Sequence, residues 1–521
     1  MWWNRKPAAA AELHTGDALV PSADDLTCTE TELEASAAIP TGVELLARAP
    51  RHADVVHINR HARGRNVTVA LDEIFDKQLG RRLTFWNEYF GLDCCSHGAA
   101  GYLVCCVMAL RTTGLDRDEV LTALEEFGEN DVRWREGRAF TLSYSAGADV
   151  TEIGEVAYRR FSGENALNTD AFPSLRRMQA DVVSIVGDWL SAGQDGAGFM
   201  TSGGTESILM AVKAARERGR SERGVTRPNL VLPTSAHAAF EKGCYYFGLE
   251  SRRIAVASDW RANPGAMADA IDDNTVLVVG SAPQYPQGVI DPIMEIAAIA
   301  ADRGISCHVD ACMGGVTLTY LGRLGHQLPA WNFSVPGVTS ISVDLHKYGY
   351  TAKGASVIMH RSKKLRQYQT FVTDNWLGGV YGSSGVLGTK GGGSIAAAWA
   401  VMNYLGDEGY LRVTAAARLA TEQLAVGLQA REQLSLRAFP QTTLVAFGAA
   451  HPGLDIFAVA DALWQRGWYL DRQGPPDSLH CTVNAVHEGK IPSFLADLDA
   501  ALHEVDATTT VGSLGSYGTV E

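Results

Sequence analysis

Between residues 199 and 360 short apolar runs alternate with helical stretches, and that alternation limits the fold more than any other feature of the chain. The runs are 229–233, 253–257, 275–280, 306–310, 339–344 and 355–360. Several are continuously apolar, the pattern of strands covered on both faces. Such strands run parallel and need crossovers, and 205–218 and 292–303 have the length and spacing of crossover helices. An α/β fold follows, built on a large and mostly parallel sheet.

Upstream, Leu175, Met178, Val182, Ile185, Val186 and Trp189 recur every three or four residues, which predicts a helix over 173–190 with one buried face. Val120, Leu121, Leu124 and Phe127 have the same spacing. Downstream, 404–434 reads as a long helix, followed by strand, helix and strand at 442–447, 456–467 and 479–484. The stretch 507–521 is rich in Thr, Gly and Ser, the composition of a frayed tail. Residues 1–115 say less. Within them 72–91 and the apolar stretch 94–110 read as helices, and the second is broken by His97 and too short to span a membrane. The expected layout is an N-terminal extension of unknown role (1–115), a large domain with a helical lead-in (116–400), a small C-terminal α/β domain (401–506) and a flexible tail (507–521).

At 521 residues the chain has room for roughly two to four such units. A composition 46% apolar and 20% charged excludes wholesale disorder. The net charge of −14 argues against a nucleic-acid or anionic-membrane binder, because both need a basic face. The one local cluster, His52, His57, Arg60, His61, Arg63 and Arg65, reads as a solvated loop. Nine cysteines, an odd number without a regular framework, suit a reducing compartment, and a cytoplasmic location is expected. Cys94 with Cys95 and Cys105 with Cys106 are adjacent and lack the gap that lets two thiolates grip one zinc, so no metal site is expected. Residues 1–10 show no signal-peptide pattern.

Three local strings carry chemistry. Thr201-Ser202-Gly203-Gly204-Thr205-Glu206-Ser207 lies between a short apolar strand and an amphipathic helix. Glycines let a ligand approach the backbone, and a helix start offers free N–H groups and a positive dipole end, together a phosphate cradle. A Ser/Thr helix cap after a glycine turn would look similar. His308-Val309-Asp310-Ala311 sets an acid at the carboxyl end of a buried strand, where open α/β sheets bind ligands. A protonated ring nitrogen would satisfy that acid, and a structural carboxylate capping the next turn is the alternative. Lys347 ends a further strand between His346 and Tyr348-Gly349-Tyr350, a setting that favours Schiff-base chemistry over the usual solvated lysine.

In that order the strings resemble those of the pyridoxal-phosphate enzymes of the group II decarboxylase family, and most of all the sphingosine-1-phosphate lyases. Further matching strings are Ser-Ala-His-Ala-Ala-Phe at 235–240, Ser-Ala-Pro-Gln-Tyr-Pro-Gln-Gly at 281–288 and Asp-Leu-His-Lys-Tyr-Gly at 344–349. The likeness covers roughly 120–505. It implies fold-type I, with a seven-stranded sheet in the large domain, and pyridoxal 5'-phosphate as cofactor. By this resemblance Lys347 carries the cofactor, His237 stacks on its ring, Asp310 pairs with the ring nitrogen, and Gly203, Gly204, Thr205 and His346 hold its phosphate. Tyr285 and Lys353 match lyase positions in the substrate region, and Tyr144 resembles a third near the substrate phosphate. The segment 376–383 resembles one that crosses to the partner's site in the family's homodimer, so a homodimer with shared sites is implied.

Two strings depart from the lyase pattern. Asn165-Ala166-Leu167-Asn168 replaces Asn-Pro-Leu-His, and Gly388-Thr389-Lys390-Gly391-Gly392 replaces Gly-Ser-Arg-Pro-Gly. Asn168 and Lys390 thus stand where the lyases have a histidine and an arginine. Both changes weaken phosphate recognition, since an ammonium lacks the planar fork of a guanidinium. The expected activity is carbon–carbon cleavage of a small or amphiphilic 2-amino-3-hydroxy compound. The alternative is an amino-acid decarboxylase, which would hold the Cα–carboxylate bond rather than Cα–Cβ perpendicular to the ring. A catalytically silent relative is the third reading, opposed by the joint presence of Lys347, Asp310, His237 and the phosphate loop.

Overall fold

The computed structural model describes residues 110–506 and 511–513. The readings at 52–65, at 72–91, of the paired cysteines and of the terminal residues 1–10 lie outside them. The chain divides into two compact units, 1–126 and 127–521. Of the first unit the described part is mostly the helix Arg117–Phe127, whose start is capped by Asp116 Oδ1 accepting from the N–H groups of Asp118 and Glu119.

The second unit contains the expected seven-stranded sheet. Its strands are β1 (Ala197–Thr201), β2 (Asn229–Pro233), β3 (Glu250–Ile254), β4 (Thr275–Ser281), β5 (Ser306–Asp310), β6 (Ser340–Asp344) and β7 (Ser356–His360), in the order β1-β7-β6-β5-β4-β2-β3. Only β7 runs against its neighbours, β1 and β6. Strands β2, β4, β5 and β6 are buried along their whole length, as continuous apolar runs demand. The crossover helices are Gly204–Arg223 and Ile293–Asp302, and the helix Pro173–Trp189 buries Leu175, Met178, Val182, Val186 and Trp189. The register sets Ser281 beside Asp310 and Asp310 beside Ser342. Three carboxyl ends therefore open at one edge of the sheet.

The structure corrects three boundaries. The strand read at 253–257 is β3, three residues earlier, and Ala257 to Trp260 form a turn. β3 is an edge strand, half exposed, so charged Glu250, Arg252 and Arg253 sit in it and the apolar signal fails. The helix read at 404–434 is Gly392–Gln429, with non-helical Gly406 inside it. Its first half is wrapped by protein, which makes the glycines and alanines packing residues rather than loop signals. The strand read at 442–447 begins two residues later.

Two hydrogen-bonded strands, β8 (Phe371–Thr373) and β9 (Tyr381–Ser383), form a separate hairpin. A four-stranded sheet follows, made of β10 (Leu434–Leu436), β11 (Leu444–Ala449), β12 (Asp471–Gln473) and β13 (Ser478–Thr482) in the order β10-β11-β13-β12. It packs with the helices Ile456–Gln465 and Ile491–Asp506 around Trp468, Phe447 and Phe494. In the stretch read as a frayed tail, the N–H groups of Gly512 and Ser513 donate to Asp455 and Asp461.

Candidate active site

At the edge where β4, β5 and β6 end lies a cavity of about 400 Å³. Ser202, Gly203, Gly204, Thr205, His237, Tyr285, Asp310, His346 and Lys347 line it, so eight of the sequence-predicted site residues meet there. The loop after β1 is fixed from below. Glu206 Oε2 accepts from Ser202 N and Oγ, both at 2.7 Å, and its Oε1 accepts from Val386 N at 2.7 Å. Ser207 Oγ bridges Thr201 Oγ1 (2.6 Å) and Ser356 Oγ (2.9 Å). The cap position of the following helix falls on Gly203, which has no side chain to cap with. The Ser/Thr-cap reading therefore fails, and the helix start presents its backbone to the cavity as an anion site would.

Asp310 makes the local turn bond of one reading and faces the cavity as the other requires. Its Oδ1 accepts from Cys312 N at 3.0 Å, a local turn bond, while the carboxylate also lines the cavity. Ser342 Oγ donates to the same oxygen at 3.2 Å. Ser342 in turn faces His308 Nε2 at 3.2 Å, and His308 Nδ1 faces Ser340 Oγ at 2.9 Å. Burial pushes His308 down to about 4, against the pull of Asp310, so the imidazole is neutral. This chain of groups behind Asp310 was not visible in the sequence, because it joins two strands.

Lys347 Nζ lies 3.0 Å from Asp344 Oδ2, with His346 Nε2 3.7 Å from the same oxygen. Burial alone would raise the Asp344 carboxyl, but Lys347 and then His346 outweigh it and hold it below the ordinary range. Asp344 is thus a site residue that sequence reasoning quoted without assigning; its place three residues before Lys347 was the available signal. Burial lowers His237, whose Nδ1 accepts from Ala239 N at 3.0 Å, and also lowers His346. Burial thus disfavours the charged form of both imidazoles.

Tyr285 lies where this cavity meets a larger one of about 570 Å³, and its hydroxyl donates to Asp471 Oδ2 at 2.6 Å. Lys353 and Tyr144 flank the site without lining the smaller cavity. Lys353 Nζ donates to Leu142 O at 2.6 Å and stands 5.2 Å over the Tyr144 ring. Its pKa is pushed down to about 8, by burial first and the Lys347 charge second.

Two expected substrate residues are not brought to Lys347. Asn168 is exposed, and its Oδ1 accepts from Asp170 N. Lys390 lines a different cavity, where Nζ donates to Gln179 Oε1 (2.9 Å) and Met200 O (2.8 Å) and burial pushes it down to about 8. The strings carrying these two residues touch: Ala166 N donates to Lys390 O at 2.7 Å, and Lys390 N to Asn165 Oδ1 at 3.3 Å.

Residues 133–450 match the family profile described as the pyridoxal-dependent decarboxylase conserved domain. The chain belongs to the pyridoxal-dependent decarboxylase family. It is 38% identical to sphingosine-1-phosphate lyase 1 of Rattus norvegicus over 79% of this chain and 73% of that one. It is also 38% identical to the sphingosine-1-phosphate lyase of Arabidopsis thaliana, over 75% and 72%. The solved sphingosine-1-phosphate lyase of Burkholderia pseudomallei superposes with a TM-score of 0.73 at 36% identity, covering 77% of this chain and 93% of that one. A Lactobacillus brevis glutamate decarboxylase superposes at 0.69 with 19% identity, covering 78% and 97%, and speaks for the fold alone.

This decarboxylase-family chain is a fold-type I lyase that uses pyridoxal phosphate. The cavity fits that group: an uncapped helix start suits its phosphate, a strand-end carboxylate its ring nitrogen, and an amine its aldehyde. Among the described residues no cluster of His, Cys, Asp and Glu could hold a metal ion, and no helix is long and apolar enough to cross a membrane.

Proposed function

We propose that the enzyme cleaves the Cα–Cβ bond of a small or amphiphilic 2-amino-3-hydroxy compound, releasing an aldehyde and an amine. The convergence of Lys347, Asp310, His237 and Tyr285 on one cavity carries this reading. Relatives named as sphingosine-1-phosphate lyases or probable ones support it at 32–38% identity, whereas the Lactobacillus brevis glutamate decarboxylase is 19% identical.

Pyridoxal phosphate, when bound, supplies an electron sink for the pair left by the broken bond. Lys347 would hold it covalently, with Asp344 Oδ2 3.0 Å from the lysine Nζ to orient it. Gly203, Gly204, Thr205 and His346 hold the phosphate, with His237 against the ring. Asp310 keeps the ring nitrogen protonated, aimed by Ser342. Tyr285 takes the 3-hydroxyl proton, assisted by Lys353 or the freed Lys347. Tyr144 and Lys353 receive the substrate's polar end.

The reading extends to a homodimer. Trp376, Leu377 and Val380, in the segment that resembles the family's shared one, are 59%, 107% and 76% exposed, an apolar surface suited to a second copy. Lys390 lines its cavity with Gly382 and Ser383 of that segment, so in a dimer Lys390 serves the partner's site. A reducing, cytoplasmic location is supported by Cys244, Cys307, Cys312 and Cys481, each buried and unbridged.

The deciding experiment incubates the enzyme with amino acids and with 3-hydroxy amines, phosphorylated and not, and assays both aldehyde and carbon dioxide. Aldehyde without carbon dioxide is expected. Carbon dioxide without aldehyde rejects the lyase reading in favour of the decarboxylase.

A further inference from the structure

Tyr285 does not stand alone at the mouth of the site. Asp471 Oδ2 accepts from its hydroxyl at 2.6 Å and from Thr141 Oγ1 at 2.8 Å, while Thr141 Oγ1 lies 3.3 Å from the same hydroxyl. Three segments far apart in sequence supply these groups: the segment around 141, the loop after β4, and β12 of the smaller sheet.

Each segment is held independently of the trio. Phe140 N donates to Tyr469 O at 2.9 Å, just before β12, and Thr482 N of β13 donates to Phe140 O at 2.5 Å. Asp471 pairs in register with His480, whose ring lies 4.0 Å from that of Tyr285. Gln473 Nε2 donates to Pro286 O, next to Tyr285. The neighbouring cation, Arg472, is engaged by Asp461. The geometry is therefore over-determined, and it delivers a carboxylate to one phenol.

A merely structural reading is that Asp471 satisfies a buried hydroxyl. Against it, Tyr285 lines both cavities and Asp471 lines the larger, so the pair stands where the two cavities meet and not in the packed interior. We propose that Asp471 is the positioning residue of Tyr285 and takes up its proton during carbon–carbon cleavage, a role that rests on the function proposed above for Tyr285. The 3-hydroxyl proton passes to the Tyr285 oxygen as the Tyr285 proton passes to the Asp471 carboxylate. As the Cα–Cβ bond breaks, the 3-oxygen becomes the aldehyde carbonyl and the electron pair of that bond stays on the Cα fragment, where bound pyridoxal phosphate would stabilise it. Tyr285 then gives Cα the proton it took from the 3-hydroxyl as Asp471 returns its proton to Tyr285, and the cycle closes with no net proton change.

The test compares Tyr285→Phe, Asp471→Asn, the double variant and Asp471→Glu in the holoenzyme, with kcat and KM measured separately. Asp471→Asn should lower kcat by roughly 100-fold, the lower end of what one acid–base group contributes, with KM within about threefold. The double variant should be no slower than the slower single one, since residues acting as a unit are not additive. Asp471→Glu should recover part of kcat. As a readout apart from turnover, nitration of Tyr285 by tetranitromethane in the cofactor-free protein should be faster in Asp471→Asn, where the phenol has lost its carboxylate. Multiplicative losses in the double variant, or an Asp471→Asn enzyme within about threefold of the parent, overturn the pairing. If Tyr285→Phe itself keeps the parent rate, the role proposed for Tyr285 fails first. A slow Tyr285→Phe beside a fast Asp471→Asn removes only the partnership.

Discussion

The two glycines of the phosphate loop should respond to alanine to very different degrees. A Cβ on Gly204 would lie 2.6 Å from Asp344 Oδ2, 2.9 Å from Asp344 Oδ1 and 2.9 Å from Cys312 Sγ. Neither neighbour can swing into solvent, because the Asp344 side chain is 2% exposed and bound to Lys347, and Cys312 is buried. Overpacking of this kind costs about 1–3 kcal/mol. Displacing Asp344 from Lys347 adds part of the roughly 3–5 kcal/mol that a broken buried pair costs. The helix preference of alanine over glycine returns about 0.5–1 kcal/mol. The net loss for Gly204→Ala is about 2–4 kcal/mol. At Gly203 the nearest atom to a new Cβ is His346 Cε1 at 3.5 Å, an ordinary contact, and φ of 165° is extended backbone open to any residue. Gly203→Ala should cost under about 1 kcal/mol, the difference between two side-chain-free caps. Thermal unfolding of the cofactor-free proteins measures both, so that no contact with the cofactor enters. A Gly204→Ala protein as stable as the parent, or equal losses at the two positions, would refute the packing argument.

Other outcomes follow from the same geometry. Ser342→Ala should cost about 1–3 kcal/mol, because it leaves Asp310 Oδ1 and His308 Nε2 each a partner short in a fully buried place; denaturation of the cofactor-free protein reads it. It should also weaken cofactor binding, measured by absorbance titration, since Asp310 loses its second anchor. Lys353 keeps its ammonium below about pH 8 and loses it above, so KM for a phosphorylated substrate should rise as the pH passes 8. Lys353→Arg, charged throughout, should flatten that rise, and a rise of the same size in the variant would remove Lys353 from phosphate recognition. Lys347→Ala should abolish the visible absorption band of the holoenzyme, and any turnover by that variant would sink the proposed scheme.

What the sequence revealed, and what it hid, follows from the range of the interactions. Strands β2 and β5 were readable to the residue because both faces of each are covered, which leaves an unbroken apolar run. β3 was displaced because an edge strand needs no such run. Lys347, Asp310, His237 and Gly204 were readable because each sits in a local string whose order repeats a known site. Ser342, Thr141 and Asp471 carry no such mark. They reach Asp310 and Tyr285 only through strand register and through the contact of β12 with the segment around 141.

The two departures from the lyase pattern show the same limit most clearly. In the sequence they lie more than 200 residues apart and weigh as two independent arguments against a phosphorylated substrate. In the fold the strings pair, with Asn165 opposite Gly391 and Lys390 bonded through its backbone to both Asn165 and Ala166. A proline at 166 would have no N–H to give to Lys390 O, so the residue at 166 and the backbone contact with the lysine string are coupled. The departures therefore count once. Within this chain they lie away from Lys347, in a cavity that Lys390 lines with Gly382 and Ser383, so in the proposed dimer their effect on substrate choice falls at the partner's site.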